Sequence, residues 1–171
     1  MRKAIICLLV VLTFCSFVFA QTERCVQYGW VEDKDPNGTN VRDSPSLNGK
    51  ILKVIPAARE AGDEAEVSII GYSNGWLKIE LVKNVEGETV FEGTGWISAK
   101  KVATAVETKT NKPATVYFQP ARSSRKVGTI PIEANFEIVG FDCFGLKVKY
   151  KKITGWISKD DLCGNPRTTC A

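Results

Sequence analysis

The sequence predicts an all-β protein made of two small β-barrels in tandem, and three observations predict it. The run TGWIS stands twice, at residues 94–98 and 154–158. The apolar runs are short, rich in β-branched and aromatic residues, and bounded by clusters of Pro, Gly, Asn and Ser, as strands and tight turns require. No stretch keeps a helical period over ten residues. An identical five-residue run carrying a tryptophan points to a duplicated unit rather than to shared strand chemistry.

Residues 1–20 begin with Arg2 and Lys3, continue as an apolar run and end Val18-Phe19-Ala20. That layout predicts a secretory signal peptide cleaved between Ala20 and Gln21. The run is too short for a membrane-spanning helix and no second long apolar run follows, so no transmembrane segment is expected. The mature chain is expected to be exported, to a periplasm or to the extracellular space. Cys15 is a poor lipidation site because bulky Phe14 precedes it. The whole sequence carries a net charge of +4, and losing Arg2 and Lys3 brings the mature chain nearer neutrality. No cluster of lysines and arginines stands out, which argues against nucleic acid as a partner.

Four cysteines remain beyond the signal: Cys25, Cys143, Cys163 and Cys170. An even number in an exported chain predicts two disulfides; three connectivities are open. A metal site is not expected, since the chain has no histidine and no Cys-x-x-Cys pair. Redox catalysis lacks the same motif.

Residues 21–36 form an N-terminal segment, followed by a first domain at 37–103, a linker at 104–112, a second domain at 113–163 and a cysteine-containing tail at 164–171. DKDPNG (33–38) begins like a calcium loop, but the twelfth position is Ser44 instead of an acidic ligand. A Pro-Asn-Gly turn is the expected reading. Asn37-Gly38-Thr39 is a formal glycosylation sequon. The two copies align in order. Val41, Pro45 and Ile55-Pro56 fall on Val116, Pro120 and Ile130-Pro131, a shift of 75 positions. Gly71 and Leu77-Lys78 fall on Gly140 and Leu146-Lys147, a shift of 69, and the TGWIS pair is shifted by 60. The first copy therefore carries two polar insertions, at 57–66 and 83–93, where loops absorb length cheaply. Asn74-Gly75 between two apolar runs predicts a tight hairpin. Cys143-Phe144 replaces it in the second copy, so that turn must differ. Ser98 and Ser158, each after TGWI, are good caps for one helical turn.

NVRDSPS…GKILKVIP…VSIIGYSNGWLKIEL…GTGWISAKKV resembles the bacterial SH3-like (SH3b) domain family. The pattern covers residues 37–103 nearly throughout. In the second copy Tyr117-Phe118-Gln119 replaces the Arg-x-Ser part and Phe144-Gly145 replaces the central Gly-Trp, so membership there rests on order, spacing and TGWIS. The resemblance implies SH3-like barrels that bind cell-wall peptide (peptidoglycan) or another extended peptide in a shallow groove.

No catalytic residues are expected. Without histidine, Ser-His and Cys-His nucleophiles are unavailable, and the carboxylates sit in solvated loops such as EDKD and GDEAE. No cofactor is implied. The ligand-binding candidates are mostly aromatic, because such side chains give stiff contact area. Tyr72 and Trp76 flank the Asn-Gly turn and lead. Trp96, Tyr117, Phe141 and Asp43 follow. Trp96 and Trp156 share one strand context, which favours a structural role for both. The predicted function is non-catalytic binding of peptidoglycan or a peptide. A protein–protein adaptor or inhibitor without wall affinity is the alternative, favoured by the two insertions. Oligomeric state is left open.

Overall fold

The computed structural model describes residues 24–60, 62–107, 111–132 and 134–164. The signal segment, Cys170 and most of the tail lie outside them. Fourteen strands account for nearly all regular structure: β1 (Gln27–Val31), β2 (Thr39–Arg42), β3 (Ile51–Ile55), β4 (Glu66–Ser73), β5 (Trp76–Lys83), β6 (Thr89–Ser98), β7 (Val102–Ala103), β8 (Ala105–Val106), β9 (Ala114–Tyr117), β10 (Lys126–Ile130), β11 (Glu137–Asp142), β12 (Gly145–Tyr150), β13 (Ile153–Ser158) and β14 (Leu162–Cys163). One 3-10 turn follows β6 (Ala99–Lys101) and another follows β13 (Lys159–Asp161). The protein is all-β, and among the described residues no helix is long and apolar enough to cross a membrane.

A seven-stranded sheet in the order β3-β2-β6-β5-β4-β1-β7 curls into a half-barrel, and a five-stranded sheet runs β10-β9-β13-β12-β11. The duplication is visible strand by strand. β2 and β3 return as β9 and β10 with residue numbers raised by 75, and β7 returns as β14 with numbers raised by 60. Loop backbone repeats as well. Asp43 N–H donates to the Lys50 carbonyl at 3.0 Å, and Phe118 N–H donates to the Arg125 carbonyl at 2.8 Å. Ala99 N–H donates to the Gly75 carbonyl at 2.8 Å, as Lys159 N–H does to that of Phe144.

Two segments depart from expectation. β1, inside the expected N-terminal segment, pairs with β4 and β7 and completes the first sheet. β8, inside the expected linker, pairs with β14. Val31 faces Val102 as Val106 faces Leu162, so β8 occupies in the second copy the place of β1 in the first. Both strands were illegible in sequence because each is short and its partner lies far along the chain. The second insertion is also more than a loop. It lengthens β5 and β6 into a hairpin closed by Lys83–Thr89 pairing and by an Asn84–Glu88 turn, whose two side chains bond each other at 2.9 Å.

In β2, β5, β9 and β11 buried side chains sit largely at alternate positions, as a one-face-buried sheet demands, whereas β4 buries Val67, Ser68 and Ile69 in a row across its bulge. Val41, Ile69, Leu77, Ile79 and Ile97 are fully buried in the first copy, and Val116, Leu146, Val148 and Ile157 in the second. Asn74 and Gly75 both take positive φ (46° and 83°), the requirement of a type I′ hairpin turn. In the second copy the Asp142 carboxylate accepts from Phe144 N–H at 2.9 Å and supplies a different turn.

Cys25 and Cys143 form a disulfide across 118 residues, with Cα atoms 4.8 Å apart. It joins the chain entering β1 to the β11–β12 turn. Nearby, Gln27 Nε2 donates to the Asp142 carbonyl. Cys163 is also disulfide-bonded.

DKDPNG folds as a turn. Asp33 accepts from Asp35 N–H at 3.1 Å and from the Thr39 hydroxyl at 2.6 Å, and it forms an ion pair with Lys101. Its two oxygens are therefore occupied by protein donors. Burial pulls its carboxyl upward, but Lys101, Thr39 and the Asp35 amide hold it below its ordinary value.

Candidate functional site

Residues directly opposite in an antiparallel pair share a face. Arg42 faces Trp96 across β2–β6, Trp96 faces Lys78 across β6–β5, and Trp76 faces Ser98. Leu77 and Ile97, which alternate with them, are fully buried. Arg42, Trp76, Lys78, Trp96 and Ser98 therefore lie together on the outer face of the first sheet, and all five are half-buried. Two indoles stand diagonally, flanked by a guanidinium and an ammonium. The 3-10 turn beside them adds exposed Lys100.

The predicted candidates separate on this geometry. Trp76 and Trp96 come together. Tyr72 does not join them: it faces Leu77 and packs against the core, so the two residues flanking the Asn-Gly turn point to opposite faces. Phe141 is its counterpart in the second copy, facing Leu146 and packed the same way. Asp43 is exposed, yet its carboxylate is turned into its own loop, where it accepts from Lys50 N–H at 2.9 Å and from the Ser44 hydroxyl at 3.0 Å. Arg42 reinforces that loop by donating to the Gly49 carbonyl at 2.6 Å. The Arg-Asp-Ser run braces the loop. Trp96 and Trp156 alternate with core residues instead of entering the core, so the expected structural role for both gives way to a half-buried outer position.

The second copy places the same row differently. Trp156 faces Lys147 and Tyr117. Gly145 stands where Trp76 stands in the first copy, facing Ser158. Tyr117 is buried, and the Phe144 ring meets it edge-on with centroids 5.8 Å apart. Arg122 reaches from the loop to the Ser158 hydroxyl at 3.1 Å and to Asp160 at 3.2 Å, and also pairs with Asp161. The corresponding residues of the first copy are Leu47, Ser98, Lys100 and Lys101. Leu47 is 78% exposed, and Ser98 makes no capping bond, whereas Ser158 accepts from Asp160 N–H. In the second copy three positions of this row, Tyr117, Gly145 and Ser158, are buried where Arg42, Trp76 and Ser98 of the first are half-buried, while Trp156 and Lys147 match Trp96 and Lys78 in exposure.

Lys78 and Arg122 stand outside the predicted set, and the sequence predicts Ser98 only as a helical cap. For Lys78 a signal existed. WLKIEL alternates, which puts Trp76 and Lys78 on one face, and Leu-Lys recurs at 146–147. For Arg122 none existed, because its partners lie 36 to 39 residues away.

No family model matches the chain, and no curated protein matches it. Among solved structures, the chain is similar to NlpC2 from Trichomonas vaginalis at 18% identity and a TM-score of 0.37, covering 86% of this chain and 51% of that one. NlpC1 from the same organism stands at 18% and 0.34, covering 84% of this chain and 47% of that one. The chain spans about half the length of these two proteins.

Proposed function

We propose that this is an exported, non-catalytic binding protein of tandem SH3-like modules, in which the first copy binds cell-wall peptide (peptidoglycan) or another extended peptide and the second copy does not. The observation that carries the reading is the half-buried pair Trp76 and Trp96 beside Arg42, Lys78 and Lys100, set against the second copy, where buried Tyr117 and Gly145 stand in the places of Arg42 and Trp76. Half-buried indoles offer apolar area without first having to be uncovered. The neighbouring cations suit the free carboxylates of a peptide ligand. The Cys25–Cys143 disulfide supports export, since such bonds persist in oxidising compartments.

Co-sedimentation of the oxidised protein with purified peptidoglycan at two salt concentrations tests it. Trp76→Ala and Trp96→Ala should each weaken binding by about tenfold or more, the loss typical of an interface anchor. Phe144→Ala, once shown to be folded, should bind as the parent does. Absence of saturable pelleting, or equal loss in all three variants, would refute the assignment. The alternative, a protein–protein adaptor or inhibitor, is favoured by one observation of its own: the two insertions of the first copy meet around a single cavity.

A further inference from the structure

A cavity of about 460 Å³ lies between the two segments that the second copy lacks. From the first insertion and the end of β3 come Ile55, Pro56, Ala57, Arg59, Asp63 and Ala65. From the second come Asn84, Val85, Glu86, Glu88 and Val90. Its size falls within the ordinary range for small-ligand sites. The lining divides by chemistry. Pro56, Ala57, Val85 and Val90 give an apolar wall over the fully buried Ile55, and Val85 is 37% exposed. Asp63, Glu86 and Glu88 supply three carboxylates against one guanidinium.

Those charges are not internally balanced. Arg59 forms no ion pair among the described residues. Glu88 bonds the Asn84 amide, but the carboxylates of Asp63 and Glu86 have no hydrogen-bond or ion-pair partner among the described residues. A carboxylate without a protein partner is free to accept charge-assisted hydrogen bonds from a cation. Both walls are ordered by local bonds. Gly62 N–H donates to Glu64 at 2.7 Å, and Glu88 N–H donates to the Asn84 side chain at 2.8 Å.

We infer that this cavity binds an alkylammonium group: a cationic amine on an aliphatic stem, supplied by a lysine side chain or by a free diamine. The stem lies on Pro56, Val85 and Val90, and the ammonium meets Asp63 and Glu86. This site is separate from the tryptophan surface, and neither assignment depends on the other.

The test is a heteronuclear NMR titration of the oxidised, signal-free protein with 1,5-diaminopentane and, separately, with Nα-acetyl-lysine N-methylamide. Sodium valerate, an anion on a comparable stem, and sodium chloride at matched ionic strength serve as controls. Saturable shifts confined to amides of residues 55–65 and 84–90 are expected in at least one amine arm, and the tighter arm identifies the source. Glu86→Gln, at an exposed position, and Asp63→Asn should each weaken binding by about tenfold, the loss of one charge-assisted contact. Glu92→Gln, outside the cavity, should leave it unchanged. Shifts reproduced by valerate or chloride, shifts centred on Trp76 and Trp96, or unchanged affinity in both cavity variants would overturn the inference.

Discussion

Gly95 and Gly155, the glycines of the two TGWIS runs, explain why that run is repeated. A Cβ on Gly95 would stand 2.4 Å from Val41 Cγ1, and one on Gly155 would stand 2.5 Å from the Tyr117 carbonyl oxygen. At these glycines β6 passes β2, and β13 passes β9, so closely that no side chain fits between them. Gly155→Ala should therefore destabilise the protein by about 1–3 kcal/mol, an overpacking cost, because a backbone oxygen has less freedom to yield than a side chain. Urea unfolding of variant and parent measures this. A second residue-scale expectation concerns pH. The Asp33 carboxyl is held low in the folded state, so its stabilisation is complete above the ordinary carboxylate range and is lost as pH falls through the lowered value. Asp33→Asn should cost about 1–2 kcal/mol near neutrality, with its deficit against the parent shrinking toward pH 3. A deficit independent of pH would show that the ion pair with Lys101 contributes nothing.

At the scale of elements, the loop after β2 and its counterpart after β9 share one backbone path held by different side chains. Arg42 and Asp43 brace the first, through the Gly49 carbonyl and Lys50 N–H. In the second, the Ser124 hydroxyl accepts from Gln119 N–H and Arg125 stacks over Phe118 at 4.9 Å. Arg42→Lys should loosen the first loop, since an ammonium lacks the guanidinium's reach and planar geometry. The expected cost is about 0.5–1.5 kcal/mol, read as up to roughly tenfold faster amide exchange at Lys50. The two turns were legible to different degrees. Asn74-Gly75 announced itself because few residue pairs accept two positive φ angles. Asp142-Cys143-Phe144-Gly145 did not, because its bracing bond is made by a side chain that has other uses.

For the whole molecule, the Cys25–Cys143 bond joins the entrance of the first sheet to a hairpin turn of the second. Cys25→Ser with Cys143→Ser should lower stability by roughly 2–5 kcal/mol through the freed unfolded chain. If the bond also sets how the two copies sit together, the Gln27–Asp142 contact should loosen with it, which exchange at those amides reports. The sequence by itself determined the all-β class, the duplication, the two insertion points and the Asn-Gly turn. Each depends on local chemistry or on comparing one copy with the other. Only the tertiary structure decided that β1 and β8 are sheet strands, that Trp76 joins Trp96 while Tyr72 turns inward, that Phe144 packs on Tyr117 and Arg122 on Ser158 and Asp160, and which cysteine meets Cys25. These depend on pairing register and on contacts between residues far apart in the chain. Shifting a strand by one position exchanges its two faces, and nothing in a single strand's composition records which face its distant partners will cover.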